Sequence, residues 1–262
     1  MNNTTGWTKA FYNHEIWGPS GVLPHHRERA MQIERLCGLG KKRILELGAG
    51  SGGTAAALAD LGHDVTALDI APTRVANAKA LAEEQRPGTL TVLEADFFTA
   101  EFAGKFDVVA YWNGFGIGSD SDQRRLLSRI ASLWLAENGS LLLDVFHPAS
   151  WLRVAGQKER VETERAGMCI KHNNFDPIGG RFLDSWTSED DPTGRTYTQS
   201  IRCYTPADLL LLLDGTGLAV KYAEVCGEPF SIQATDATIE GALGQAWDYL
   251  VQLVVPAPLS PP

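Results

Sequence analysis

The stretch "RILELGAGSGGTAAALADLGHDVTALDI", residues 43–70, decides the fold. Its segment Ile44–Leu47, apolar but for Glu46, has strand length and breaks into a turn carrying Gly48, Gly50, Gly52 and Gly53. The spacing then predicts a helix over Thr54–Leu61, closed by Gly62, and a second strand over Val65–Leu68 that ends at Asp69. A strand, a glycine turn, a helix and a strand form a βαβ unit, because parallel neighbours need a crossover connection.

The same alternation continues outward. Pro72 precedes a predicted helix over Thr73–Gln85, followed by a strand over Leu90–Glu94, the strand "FDVVAYW" (106–112), a helix from about Asp122 to Leu135, and the strand "GSLLLDVF" (139–146). Upstream, residues 25–38 place Ala30, Ile33, Leu36 and Cys37 at helical spacing and stop at glycine, as a helix lying on a sheet would. After Phe146 the rhythm breaks. Residues 150–200 hold the turns "PIGG" and "DPTG" and read as a short antiparallel insertion, after which "RCYTPADLLLLLDGTGL" and "AVKYAEV" resume the α/β pattern. The proline-rich tail "VVPAPLSPP" is expected to fray. The predicted fold is α/β: a Rossmann-like, doubly wound, mostly parallel seven-stranded sheet with helices on both faces and a small antiparallel cap. The expected organisation is one domain over 1–262, with a helical cover at 1–40 and the cap inserted at 150–200.

Composition narrows the partners. A net charge of -9 argues against nucleic acid, which is bound by clustered Lys and Arg. The cysteines Cys37, Cys169, Cys203 and Cys226 form no C-x-x-C pair, so neither a zinc site nor a disulfide framework is expected, and a cytoplasmic location fits. No apolar run reaches the ~18 residues of a membrane span, and the first twenty residues lack the basic and apolar regions of a secretory signal.

The glycine turn fits two patterns. Gly48, Gly50 and Gly53 satisfy G-x-G-x-x-G, while Glu46, Gly48, Gly50 and Gly52 satisfy E-x-G-x-G-x-G. Both let the backbone approach a ligand at a helix N-terminus. Glu46 discriminates, since a carboxylate there repels a pyrophosphate and suits a cofactor carrying an ammonium and a sulfonium. S-adenosylmethionine is therefore the better match. Asp69 can accept bonds from ribose hydroxyls, and Asp96, beside Phe97, suits an adenine amino group and ring or else a turn.

With these residues in view, the chain resembles the class I S-adenosylmethionine-dependent methyltransferases of small-molecule type. "ELGAGSG", "LDI", "EADFF", "FDVVAYWNGFG", "NGSLLLDVF" and "RCYTPADLLLLLDGTGL" follow in that family's order across roughly residues 40–225. The resemblance implies methionine-moiety contacts around Glu46, Gly48, Ala49 and Gly50. It also implies ribose contacts from Asp69, an adenine sandwich with Ile70, adenine-edge contacts from Asp96 and Phe97, and Asn113 beside the sulfonium. An N-terminal segment covering the cofactor would bring in Tyr12 and Trp17. "ENGS" stands where the family often has a Pro-Gly-Gly turn, and Asn138-Gly139 can make an equivalent one.

Methyl transfer needs alignment more than a dedicated base. His147, after the fifth strand, is the candidate base or orienting group, with a turn cap as its alternative. Trp112, Phe115, Trp151, Phe175, Phe182 and Trp186 are candidate walls of a pocket for a small hydrophobic or aromatic acceptor, methylated on N, O or C, or else local core. His25 and His26 are expected to be solvated. An NAD(P)-dependent oxidoreductase, a non-enzymatic cofactor-binding homologue, and a homodimer as well as a monomer stay open.

Overall fold

The computed structural model describes residues 6–14, 21–163, 165–233 and 237–257. Helix α1 (Thr8–Asn13) precedes α2 (Pro24–Cys37), which starts on a proline with preset φ and ends at Gly38. The predicted unit follows as β1 (Arg43–Leu47), α3 (Gly53–Asp60) and β2 (Asp64–Asp69). Next come α4 (Pro72–Ala82), β3 (Thr89–Glu94), β4 (Phe106–Tyr111), α5 (Asp120–Arg129) and β5 (Leu135–Phe146). Helix α5 opens with a capping box between Ser119 and Asp122. The single helix expected over 122–135 is instead α5 followed by a π-helical turn, Ile130–Trp134, whose wider winding buries Ile130 and Trp134 before the chain enters β5 at Leu135. Asn138 takes a left-handed φ of 63°, as the Asn-Gly turn requires.

Beyond β5 lie α6 (Pro148–Val154), then β6 (Lys158–Thr163), β7 (Gly167–Asp176), β8 (Arg181–Ser188) and β9 (Thr196–Arg202), an antiparallel four-stranded sheet in sequential order. The chain closes with α7 (Pro206–Leu213), β10 (Ala219–Val225), β11 (Glu228–Pro229), α8 (Ala237–Gln245) and β12 (Asp248–Val254).

The main sheet has eight strands rather than seven, in the order β11-β10-β12-β5-β4-β1-β2-β3. Two members were not read from the sequence: β12, and the two-residue β11, which hairpins onto β10 through Cys226 and Gly227, both at positive φ; Arg202 of "RCY", read as a strand edge, ends β9 of the small sheet instead. The five strands β1–β5 are parallel, and β12 runs antiparallel between β5 and β10. The tail was expected to fray from Val254, but that residue pairs with Ser140 and Ala219; residues 258–262 lie outside the described residues. One face buries Leu45, Leu47, Val109 and Tyr111 under α5 and α7. The other buries Ile44, Val65, Ala67 and Val108 with Ala30 and Ile33 of α2 and the alanines of α3. Strands covered on both faces read as nearly continuous apolar runs, which is why "RILEL" and "FDVVAY" were legible. Among the described residues no helix is long and apolar enough to cross a membrane, and no cluster of His, Cys, Asp or Glu is placed to hold a metal ion.

Candidate functional site

The sheet runs in opposite directions from β1, to β2 and β3 on one side and to β4 and β5 on the other. Ligands of open α/β sheets bind at the carboxyl ends of the strands beside such a switch point. A cavity of about 640 Å³ lies there, with Gly48, Ala49, Gly50, Ser51, Gly53 and Thr54 in its lining. The glycines are required by space as well as by φ. At Gly52, φ is 80° and a Cβ would stand 2.8 Å from the Cβ of Ala78; at Gly53 it would stand 2.1 Å from His26 Cε1.

Glu46 sits at the base of this turn, only 3% exposed, and its Oε2 has no hydrogen-bond partner. Burial pushes its carboxyl up to about 8, against the pull of Arg29, the Ala55 amide and the Thr54 hydroxyl. Arg29 of α2 lies 5.4 Å over the Trp112 ring and 3.4 Å from Asp144 Oδ2. Asp144, likewise buried, is pushed up to about 7 by desolvation, with Asp248 adding to the rise and Arg29 opposing it. One guanidinium thus serves three enclosed carboxyls, Glu46, Asp144 and Asp248. A positive group entering beside Glu46 Oε2 would find an unmet acceptor in a low-dielectric setting.

Asp69 uses both oxygens on the backbone, accepting from Gly50 N and Ala71 N at 2.8 Å each, and so fixes the glycine turn to the end of β2. Each oxygen keeps a lone pair for a further donor. Asp96 makes the turn that sequence reading offered as its alternative, accepting from Phe98 N at 2.8 Å, and it also lines the cavity with Ile70 and Phe97. Asn113 holds a left-handed φ of 55°, with its N–H on Asp144.

The far wall is aromatic. Trp151 and Phe182 stack at 3.9 Å and 10°, Phe146 meets Phe182 edge-on at 5.0 Å, and Ile117, Phe98 and Gln199 complete that side. Tyr12 of α1 closes the opening; its hydroxyl donates to Gln199 Oε1 at 3.3 Å and Arg74 lies 4.9 Å from its ring centroid.

The cavity therefore brings together Tyr12, Glu46, Gly48, Ala49, Gly50, Asp69, Ile70, Asp96, Phe97, Trp112, Asn113 and Trp151. Trp17 lies outside the described residues. Phe115, Phe175, Trp186 and His147 are not in the lining. Phe115 is fully enclosed against Tyr111 and Tyr204, Phe175 pairs across the sheet with Phe182, and Trp186 packs with Phe11 and Cys169 under Lys171. His147, the candidate base or orienting group, makes the turn cap that sequence reading gave as its alternative, capping α6 with its Nδ1 accepting from Ala149 N at 3.4 Å. His25 is exposed, as expected, at the edge of the lining, whereas His26, also expected in solvent, is half-buried and packs on Gly53. Its imidazole is pushed down to about 4 by desolvation and by the neighbouring His25 and Arg29. Arg29, Phe146 and Gln199 were missed. The helical period of α2 showed that it packs, not that its first turns reach the strand ends.

Residues 44–139 match a family described as a methyltransferase domain. The chain is 25% identical over 206 residues to the cypemycin N-terminal methyltransferase of a Streptomyces species, covering 76% of this chain and 82% of that protein. Its fold is similar to that of the CcbJ methyltransferase from Streptomyces caelestis, with a TM-score of 0.72 and 20% identity over 97% of this chain and 98% of the other. It is also similar to the glycopeptide N-methyltransferase MtfA complexed with S-adenosyl-L-homocysteine, with a TM-score of 0.57 and 20% identity over 88% and 87% of the two chains.

Proposed function

We propose that this chain, a class I S-adenosylmethionine-dependent methyltransferase, transfers the methyl group to an amine nitrogen of a small molecule. Membership of that class sets the NAD(P) alternative aside. The observation that carries the amine reading is the wall formed by the Trp151–Phe182 stack and Phe146. As nitrogen takes the methyl it gains positive charge, and aromatic faces stabilise a cation by about 0.5–2 kcal/mol. The glycopeptide N-methyltransferase to which the chain's fold is similar acts on nitrogen by name, and the cypemycin relative is named an N-terminal methyltransferase.

Bound S-adenosylmethionine supplies a methyl group on a sulfonium, an electrophile with a good leaving group. The chain's own residues must hold, orient and keep dry. Glu46 is suited to the cofactor's ammonium, because Oε2 is buried and unpartnered. Gly48, Ala49 and Gly50 allow close backbone approach; Asp69 and Ile70 would hold the ribose and adenine, Asp96 and Phe97 the adenine edge, and Asn113 would lie on the sulfonium side. Tyr12 closes the mouth within the cover at 1–40, and the 150–200 insertion brings the acceptor wall. These residues would hold the acceptor nitrogen's lone pair in line with the methyl that the bound cofactor would supply, and the mouth of the cavity would let the proton lost from nitrogen pass to solvent. Alignment of this kind is worth up to ~7–11 kcal/mol. The thiols are free, in keeping with a cytoplasmic enzyme.

Methyl-labelled S-adenosylmethionine, incubated with matched small amines and alcohols and analysed by mass spectrometry, tests this. Label on nitrogen is expected; label on oxygen or carbon alone overturns the amine reading.

A further inference from the structure

Three polar residues stand in one row across the small sheet. Asn173 of β7 is opposite Asp184 of β8, and Asp184 is opposite Gln199 of β9. The Gln199 Nε2 donates to Asp184 Oδ2 at 2.8 Å. With Nε2 donating to Asp184, the other end of the amide, Oε1, lies toward Tyr12 and the cavity. Tyr12 stays a donor to it, since burial, reinforced by Asp69 and Asp184 and opposed by Arg74, holds its phenol well above the ordinary range. A second lone pair of Gln199 Oε1 is then available at the cavity wall.

Behind Gln199 the row is electronegative. Asp184 is 5% exposed, and its Oδ1, like Asn173 Oδ1, is buried without a hydrogen-bond partner. Among the described residues no cation lies within ion-pair distance of Asp184: Lys171, on the same face of β7, is committed to the Trp186 ring at 5.5 Å. A buried carboxylate held by one amide favours whatever brings an N–H or a positive charge nearby and repels a second anion.

We propose that Gln199, oriented by Asp184, recognises the acceptor's amino group, and that this pair restricts the site to acceptors presenting an N–H donor or a positive charge and excludes anionic ones. Gln199 would touch the acceptor; Asp184 is a positioning residue that acts through it. The inference rests on the amine reading above.

The test uses the full chain, methyl-labelled S-adenosylmethionine and scaffolds bearing an amine, a hydroxyl or a carboxylate at one position. Gln199→Leu and Asp184→Leu are expected to raise the KM for amines by about tenfold or more, the effect of one charge-assisted hydrogen bond. The kcat at saturation should change by less than roughly threefold, and both variants should still bind S-adenosylhomocysteine. Asp184→Asn, whose amide oxygen can still orient Gln199, should recover part of the loss. Label on amines with KM unchanged in both leucine variants overturns this inference and leaves the amine reading standing. Label confined to hydroxyl or carboxylate members, or absent from every amine, overturns both. Should Asp184→Leu fail to bind S-adenosylhomocysteine, Gln199→Leu decides, because its side chain is only partly buried at the cavity wall.

Discussion

The backbone N–H of Asn113 donates to Asp144 Oδ1 at 2.6 Å, tying the left-handed turn after β4 to the buried end of β5. The other oxygen of Asp144 faces Arg29 of α2, so one carboxyl joins the loop, the sheet and the N-terminal helix beneath the cavity. Asp144→Ala leaves a backbone donor unpaired and Arg29 without this partner. A loss of about 1–3 kcal/mol is expected, seen as a melting temperature lower by several degrees in calorimetry. An unchanged melting temperature contradicts this role.

The enclosed carboxyls make the ligand-free protein sensitive to base. Burial holds Glu46 at about 8 and Asp144 at about 7, and raises Asp69 and Asp248 as well. A carboxyl raised by folding binds more protons in the native state than in the unfolded one, so its stabilisation is full below the unfolded value and gone above the folded one. His26, His63 and His147 are lowered and act in the opposite direction, but only while histidine in the unfolded chain still holds protons. Between roughly pH 7 and 8.5 the melting temperature should therefore fall, and Glu46→Gln should flatten the decline. A flat or rising wild-type profile over that window rejects the assignment.

Gly52→Ala tests the packing of the turn. The φ of 80° alone costs an alanine about 1–2 kcal/mol, and its Cβ would collide with Ala78, 2.8 Å away. Reduced melting temperature together with weaker S-adenosylhomocysteine binding is expected; wild-type values for both would show that the turn yields at no cost.

His147→Ala separates chemistry from capping. With Nδ1 on Ala149 N and the ring outside the cavity lining, the substitution should lower stability by about 1 kcal/mol and leave kcat within roughly threefold. A kcat reduced a hundredfold or more, on the order of a lost general base, would restore the catalytic assignment.

The parallel half of the molecule was legible because β1, β2 and β4 are buried on both faces and their connections end on glycine or proline. The boundaries that failed lie where winding changes without a sequence break, as in the π-turn after Arg129, or where a strand is too short to show a period, as in β11. The strand-end acids and glycines of the site announced themselves by position. The aromatic residues of the insertion did not, because alternation within β7 and β8 gives Phe175, Phe182 and Trp186 the same sequence signature, whereas only Phe182 faces the cavity. Arg29 and Gln199 come from elements whose local pattern carries no mark of a site, and only tertiary packing brings them there.

The central claim is that the unpartnered oxygen of Glu46 receives the ammonium of the cofactor's amino-acid moiety. Titration calorimetry of S-adenosylhomocysteine against its analogue lacking the α-amino group measures that contact directly. The wild type should prefer the amino form by about 10- to 100-fold, and Glu46→Gln should reduce the preference to about threefold or less. Equal affinity of the wild type for both compounds, or a preference that survives Glu46→Gln intact, would contradict the account.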